Sequence, residues 1–310
     1  MSKNVINLFF AVDDNYCPYL SVALDSIMKN ANKDYNYNAY VLATYVSPEN
    51  KKTLEDRLYD NFTIEFVDMT DKLEMIADKL HTRDYYSKTT YYRLFIPNMF
   101  PNMDKALYLD ADIVVPGDIS ELYNVDLGNN LVGGITDSAV ANNDIFVKYV
   151  EEVVGVDKSD DYFNAGILPM NLKAMREFEF EEKFLNLLVS YKFVVAQDQD
   201  YLNAICKGRV RYIDDSWNVM PIENNKRKID KLNLIHYNML WKPWQFDNIM
   251  YEEYFWEYAK SNPYYEFILN SKATWTEERR AKAMASGGSL LDRCLQDIAD
   301  PNNYKRKFMK

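Results

Sequence analysis

The chain has 310 residues, with 36 Lys plus Arg against 47 Asp plus Glu and a net charge of −11. At this length a chain buries a large core and stands near the size at which one core gives way to two, so one large domain with an appendage, or two domains, is expected. A hydrophobic content of 48%, with 15% aromatic residues, excludes a disordered chain. The acidity excludes a binder of nucleic-acid backbones, which needs a basic surface to neutralise phosphates; acidic groups in excess invite metal ions instead.

Residues 5–12 form a continuous apolar run, as in a strand buried on both faces; its core, residues 8–12, is too short for the apolar region of a signal peptide. Residues 19–30 then place Leu20, Ala23, Leu24 and Ile27 on one helical face. Residues 40–46 are rich in β-formers, Ser47 ahead of Pro48 signals a helix start, Leu54 and Leu58 make an i,i+4 apolar pair, and residues 62–67 are again strand-like. This alternation predicts an α/β fold with a mainly parallel central sheet and helices on both faces, in which ligands bind beyond the carboxyl ends of the strands.

The strand pattern resumes at residues 106–109, 131–136 and 163–170, with helical stretches at 180–192 and 198–206. Beyond about Ala273 the character changes: residues 275–310 carry eight basic residues against five acidic ones. Gly287-Gly288 predicts a helix stop there, and Ser289 the start of a second short helix. The expected division is a large domain over residues 1–272 and a small, basic, helical C-terminal appendage over 273–310. No window approaches a membrane span. Cys17, Cys206 and Cys294 are odd in number and form no C-x-x-C pair, which predicts reduced, buried thiols and a cytoplasmic location.

Polar residues directly after apolar strands are the candidates for chemistry. Asp13-Asp14-Asn15 follows the first strand, Asp110-Ala111-Asp112 follows residues 106–109, and His236 follows residues 232–235. Asp110 and Asp112, two positions apart, project to the same side with Cα atoms about 7 Å apart and can converge on one divalent ion. Burying such a pair is costly unless a cation compensates it. Asp198-Gln199-Asp200 has the same spacing but reads by itself as the acidic first turn of a helix. A lone His at the edge of an apolar run is more often structural than a ligand, and His81 is read as a surface or structural residue. Two carboxylates with the imidazole of His236 make a mixed oxygen and nitrogen set that suits Mn²⁺ or Mg²⁺, with phosphate oxygens completing an octahedron. The nine glycines form no G-x-G-x-x-G or G-x-x-x-x-G-K-[ST] cradle, so any nucleotide must be held differently.

Four motifs in order, Leu107-Tyr108-Leu109-Asp110-Ala111-Asp112, Phe163-Asn164-Ala165-Gly166, Gln197-Asp198-Gln199-Asp200, and His236 with Lys242-Pro243-Trp244, resemble those of family 8 retaining glycosyltransferases. That group includes lipopolysaccharide galactosyltransferases and, more distantly, glycogenin. The resemblance covers residues 5–260, approximately, and implies a GT-A type nucleotide-sugar-binding fold. It implies metal-dependent transfer of a hexose, galactose or glucose, from a UDP-sugar to a glycan or lipid-linked acceptor, with retention at the anomeric carbon. By the same resemblance Asp13 and Asn15 would bind uracil and ribose, and Asp110, Asp112 and His236 would hold the metal against the diphosphate. Lys242 would neutralise the departing phosphate. Arg93, Asn164, Ala165, Gly166, Asp198 and Gln199 would line the hexose pocket, with Ala111 beside the donor between the two aspartates. One departure is Met239, three residues after the histidine, where the family has Gly; close backbone approach is easiest for Gly, so the loop or the donor is expected to sit differently.

Retention in hydrolases uses a carboxylate nucleophile about 5 Å from its acid partner. Asp198 and Gln199 are the nearest candidates here, and an amide is a poor nucleophile. Front-side attack by the acceptor hydroxyl is therefore the expected route, with a β-phosphate oxygen as base and Gln199 stabilising an oxocarbenium-like sugar. Two other readings compete. The Asp110-Ala111-Asp112 strand end also fits haloacid-dehalogenase-like phosphohydrolases, where the first Asp is phosphorylated, and a nucleotide-sugar-binding module without turnover is the non-catalytic alternative. The basic tail fits either contact with an anionic membrane surface or an ordinary helix pair packed on the domain or on a second subunit.

Overall fold

A computed structural model of the chain describes residues 4–77 and 88–309; His81 lies outside the described residues. The strands are β1 (Val5–Ala11), β2 (Asn36–Ala43), β3 (Phe62–Asp68), β4 (Lys105–Leu109), β5 (Ile113–Val114), β6 (Val132–Gly134), β7 (Ile167–Asn171), β8 (Val210–Tyr212) and β9 (Ile235–His236). Seven of them form one sheet in the order β3-β2-β1-β4-β7-β6-β8, and β5 and β9 pair separately. Pairings are parallel between β3, β2, β1 and β4 and between β6 and β8, and antiparallel on both sides of β7.

The apolar runs are continuous because both faces of the sheet are covered. Phe9 of β1 and Tyr108 of β4 join one core, and Leu8, Phe10, Leu107 and Leu109 join the other. The helix Cys17–Asn30 packs Leu20, Ala23, Leu24 and Ile27 into that second core, as their spacing predicts. The helix Pro48–Glu55 begins where expected, the Ser47 side chain accepting from Asn50 N at 3.2 Å.

Three features of this topology position a site. The strand order reverses between β1 and β4, which opens a crevice beyond their carboxyl ends, where Asp13 and Asp110 lie. Because β7 runs antiparallel to β4 with Leu109 opposite Ile167, the turn entering β7, Asn164 to Gly166, arrives at the same edge, and Asp110 N donates to Gly166 O at 2.7 Å. The β5–β9 pair sets Ile113 opposite His236, so the imidazole is delivered beside Asp112; Tyr237 N donates to Asp112 O at 2.8 Å.

The C-terminal region corrects one expectation. A single helix, Glu277–Ala299, runs through Gly287 and Gly288 instead of stopping there, and no second helix starts at Ser289. Two interior glycines cost about 1 kcal/mol each. Leu290, Cys294 and Ile298, spaced i,i+4,i+8, bury one stripe against the main core and offset that cost, while Thr276 caps the start by accepting from Arg279 N. A short helix, Tyr304–Phe308, follows. Cys17, Cys206 and Cys294 are buried, with no disulfide among them. Among the described residues no helix is long and apolar enough to cross a membrane.

Candidate active site

A cavity of about 440 Å³ opens beyond the carboxyl ends of β1 and β4. At its floor Asp110, Asp112 and His236 present ligand atoms within 4.8 Å of one another. His236 is almost fully buried, and its Nδ1 meets Asn218 Oδ1 at 2.9 Å. A proton on Nδ1 would donate to that oxygen and leave the Nε2 lone pair facing the carboxylates. Among the described residues Nε2 has no hydrogen-bond partner; it lies 3.3 Å from Asp112 Oδ1 and 3.7 Å from Asp110 Oδ2. An orphaned, buried imidazole nitrogen flanked by two carboxylates fits a divalent cation, and the oxygen and nitrogen donor set fits Mn²⁺ or Mg²⁺.

Charge balance points the same way. The cavity is lined by five carboxylates, Asp13, Asp110, Asp112, Asp137 and Asp198, against two fixed cations, Arg93 and Lys242. An anionic ligand such as a diphosphate would meet net repulsion there unless a cation accompanied it. Burial pushes the Asp112 carboxyl up, but the charge of Lys242 beside it outweighs that and holds the group well below the usual carboxylate range. Lys242 Nζ is paired with Asp112 Oδ2 and donates to Tyr237 O at 3.1 Å, with the rings of Tyr16 and Trp244 nearby. Lys242 thus holds a positive charge where a cation is needed.

Arg93 is buried and central. Its guanidinium stacks on the Tyr108 ring, lies 3.2 Å from Asp110 Oδ1 and 3.1 Å from Asp198 Oδ2, and donates to Thr90 O and Ala165 O. It is no surface salt bridge. Burial raises Asp198 to about 6, against the opposing pull of Arg93. Asp200, the other acid of that motif, is fully buried behind the cavity, where it accepts from Tyr149 OH, Tyr162 OH and Ala196 N; burial raises it also to about 6.

The turn before β7 is cross-braced. Asn164 Nδ2 donates to Asp137 Oδ2 at 2.9 Å and to Gln199 Oε1 at 3.1 Å, and its Oδ1 accepts from Gly166 N. Gln199 Oε1 also accepts from Ala165 N at 2.9 Å, and Gln199 Nε2 donates to Asp137 Oδ2 at 2.9 Å. Both carbonyl lone pairs of Gln199 are therefore engaged. Gly166 is demanded by close approach: a Cβ there would stand 2.5 Å from Asp110 Oδ2 and 2.5 Å from His236 Cε1.

Most of the residues marked out in the sequence meet here: Asp13, Arg93, Asp110, Ala111, Asp112, Asn164, Ala165, Gly166, Asp198, Gln199, His236 and Lys242 all line the cavity. Asn15 is exposed and lies outside its lining. Asp14 also turns elsewhere, accepting from Ser47 N and Asn50 Nδ2. Sequence reasoning missed Asp137, which braces Asn164 and Gln199. It follows the apolar run 131–136 and so met the same criterion as Asp110. Met239 takes φ +49°, the left-handed region that favours glycine, and lines the cavity.

These features place three candidate metal ligands in a cavity of about 440 Å³ at the switch point of an α/β sheet. Residues 7–248 match the family model for glycosyl transferase family 8. A putative glycosyltransferase of Haemophilus influenzae is 32% identical over 234 residues, 75% of this chain and 68% of that protein. The lipopolysaccharide 1,2-glucosyltransferase of Escherichia coli K12 is 27% identical over 304 residues, 91% of this chain and 83% of that one. Among solved structures, the galactosyltransferase LgtC in complex with donor and acceptor sugar analogues superposes with a TM-score of 0.72 at 29% identity, covering 89% of this chain and all of that one. The chain belongs to glycosyl transferase family 8, and its fold is of the GT-A type.

Proposed function

We propose that this chain is a metal-dependent, anomer-retaining hexosyltransferase that moves galactose or glucose from a UDP-sugar to a glycan or lipid-linked acceptor. The observation that carries the reading is the convergence of Asp110, Asp112 and the unpartnered Nε2 of His236 on one point of the crevice. The similarity to the lipopolysaccharide 1,2-glucosyltransferase and to LgtC supports the substrate class. A divalent ion held by these three side chains supplies Lewis acidity to a diphosphate leaving group.

The protein's own groups take the remaining roles. Asp13, at the outer end of β1, faces the base and ribose. Lys242 neutralises charge on the departing phosphate when it turns from Asp112. Arg93 holds Asp110 and Asp198 in place and closes the inner wall of the hexose pocket. Asp198, paired with Arg93, and Gln199, its carbonyl already accepting two hydrogen bonds, are both poorly disposed as covalent nucleophiles. That favours front-side attack, with the acceptor hydroxyl passing its proton to a β-phosphate oxygen. Gln199 and Asn164 then shape the sugar-facing wall, and Gln199→Ala would slow transfer; a glycosyl adduct trapped on Asp198 would reverse the preference. The family assignment removes the basis for the phosphohydrolase alternative.

The three buried cysteines, with no disulfide among them, support a reducing, cytoplasmic setting. The C-terminal helices are read as an appendage seated on the transfer domain through Leu290, Cys294 and Ile298. Membrane contact through the tail has weaker support, since Lys305 and Arg306 already donate to the carbonyls of Glu151, Ile298 and Asp300. The test is a panel of UDP-galactose, UDP-glucose and their N-acetyl relatives with Mn²⁺, reading UDP release. Release from at least one donor, abolished by a chelator, supports the reading. No release from any, or release indifferent to the chelator, overturns it.

A further inference from the structure

The cavity does not end at the hexose-lining residues. It continues between the helix Asp144–Tyr149, the π-helical turn Val150–Val154 and the helix Glu277–Ala299, where Val140, Phe146, Val150, Met239, Leu240 and Leu290 line it. All six side chains are hydrocarbon or thioether. Val140, Phe146, Val150, Met239 and Leu290 are contiguous with the main apolar core, so this is an extension of the core left open to the cavity. The polar half of the same cavity has side chains for hydroxyls and phosphates; on the three elements that bound this half the polar side chains in the lining are Tyr149, whose hydroxyl donates to Asp200, and Ser286. A sugar pressed against such a wall would lose water from its hydroxyls with few replacement partners, whereas an apolar group would gain by leaving water.

Gly287 stands at the rim of this half, on the helix Glu277–Ala299. Its backbone is not in the left-handed region, and a Cβ built on it would meet only Leu240 Cδ1, at 3.9 Å. Neither conformation nor crowding demands glycine at 287. What its missing side chain does is keep the space between the helix and Leu240 open. Gly288, the next residue, is exposed and outside the cavity lining.

We propose that this apolar half is the seat of an apolar aglycone, so that the acceptor is a glycoside carrying an alkyl or isoprenyl-type chain rather than a free sugar, with Gly287 the residue that admits it. The proposal rests on the transferase reading, because the apolar half is continuous with the transfer site. The sugar of the acceptor then lies next to the hexose pocket that Asp198 and Gln199 line, while its chain passes Leu290 and leaves beside Gly287.

The test is calorimetric titration of the full chain, with Mn²⁺ and UDP present, by methyl and octyl β-D-galactopyranoside and β-D-glucopyranoside, the octyl compounds kept below micelle formation. The expected result is that an octyl glycoside binds at least about tenfold tighter than its methyl counterpart, the gain from burying roughly two methylenes. Gly287→Leu removes that advantage, and Gly288→Leu, on the exposed face, keeps it. Leu is the better helix former, so Gly287→Leu melts no lower than the parent, which separates a blocked seat from a misfolded chain. Equal affinity for methyl and octyl glycosides, no binding of either, or an octyl advantage that survives Gly287→Leu overturns the proposal. UDP release from the donor panel is read on the same protein: an octyl preference without UDP release fails the transferase reading and not the apolar seat, while UDP release without an octyl preference fails the seat alone.

Discussion

Replacing Gly166 by Ala adds one methyl group at the most crowded point of the site. The new Cβ would stand 2.5 Å from Asp110 Oδ2, 2.5 Å from His236 Cε1 and 3.0 Å from Asn164 Oδ1. Comfortable contact begins near 3.5 Å, so the two nearest neighbours must retreat by about 1 Å. None is a loose chain end: His236 is held through Nδ1 by Asn218, Asp110 by Tyr108 OH and Arg93, and Asn164 by Asp137 and Gln199. Metal ligands tolerate displacements of only about 0.2 Å, and disturbing their outer partners typically costs 10–100-fold in affinity. Moving two ligands together should cost about 100-fold or more in Mn²⁺ affinity, about 2.7 kcal/mol, alongside an overpacking loss of about 1–3 kcal/mol in stability. Calorimetric titration of Mn²⁺ in the presence of UDP, paired with a guanidinium melt of the same sample, reads both numbers. A folded Gly166→Ala chain that binds Mn²⁺ within threefold of the parent would refute the reasoning.

Three further substitutions probe the surrounding structure. At Met239, held at φ +49°, the usual order of helix and loop substitutions should invert, with Met239→Gly more stable than Met239→Ala by about 1 kcal/mol in denaturant melts. Asp137→Ala leaves the Asn164 and Gln199 amides without their shared acceptor and Val140 N without its cap; a loss of about 2–4 kcal/mol in stability and a fall in kcat are expected, with Asp137→Asn intermediate. Asp198 is raised by burial to about 6, so its contribution to stability is fully present below the ordinary carboxylate range and is lost as pH rises through about 6. Asp198→Asn should therefore gain stability relative to the parent between pH about 4 and about 7; a difference that stays flat, or runs the other way, contradicts the assignment.

How much of this was legible in the chain depended on what each signal encodes. The runs at β1 and β4 were readable because burial on both faces forces continuous apolar sequence, and the acids directly after them therefore announced a strand-end site. Strand direction leaves no such trace. That β7 runs antiparallel, bringing Asn164 to Gly166 beside Asp110, depends on pairing across the sheet. Asp137 carried the same mark as Asp110 and was passed over because a single Asp after an apolar run suggests no metal pair; its importance comes from Asn164 and Gln199, distant in sequence. Gly287-Gly288 signalled a helix stop by local propensity, and the tertiary burial of Leu290, Cys294 and Ile298 outweighed it. Asn15 matched a motif yet is exposed and outside the cavity lining; in the same turn Asp13 accepts from Tyr16 N and lines the cavity, while Asp14 accepts from Ser47 N.

The central claim is that Asp110, Asp112 and His236 hold one cation against a diphosphate. A crystal of the full chain grown with Mn²⁺ and UDP, measured at the manganese absorption edge, tests it most directly. The account predicts one anomalous peak in contact with a carboxylate oxygen of each aspartate and with His236 Nε2, at about 2.0–2.3 Å, with Lys242 turned from Asp112 toward the phosphates. A peak elsewhere, or UDP bound with His236 Nε2 still unpartnered, would contradict it.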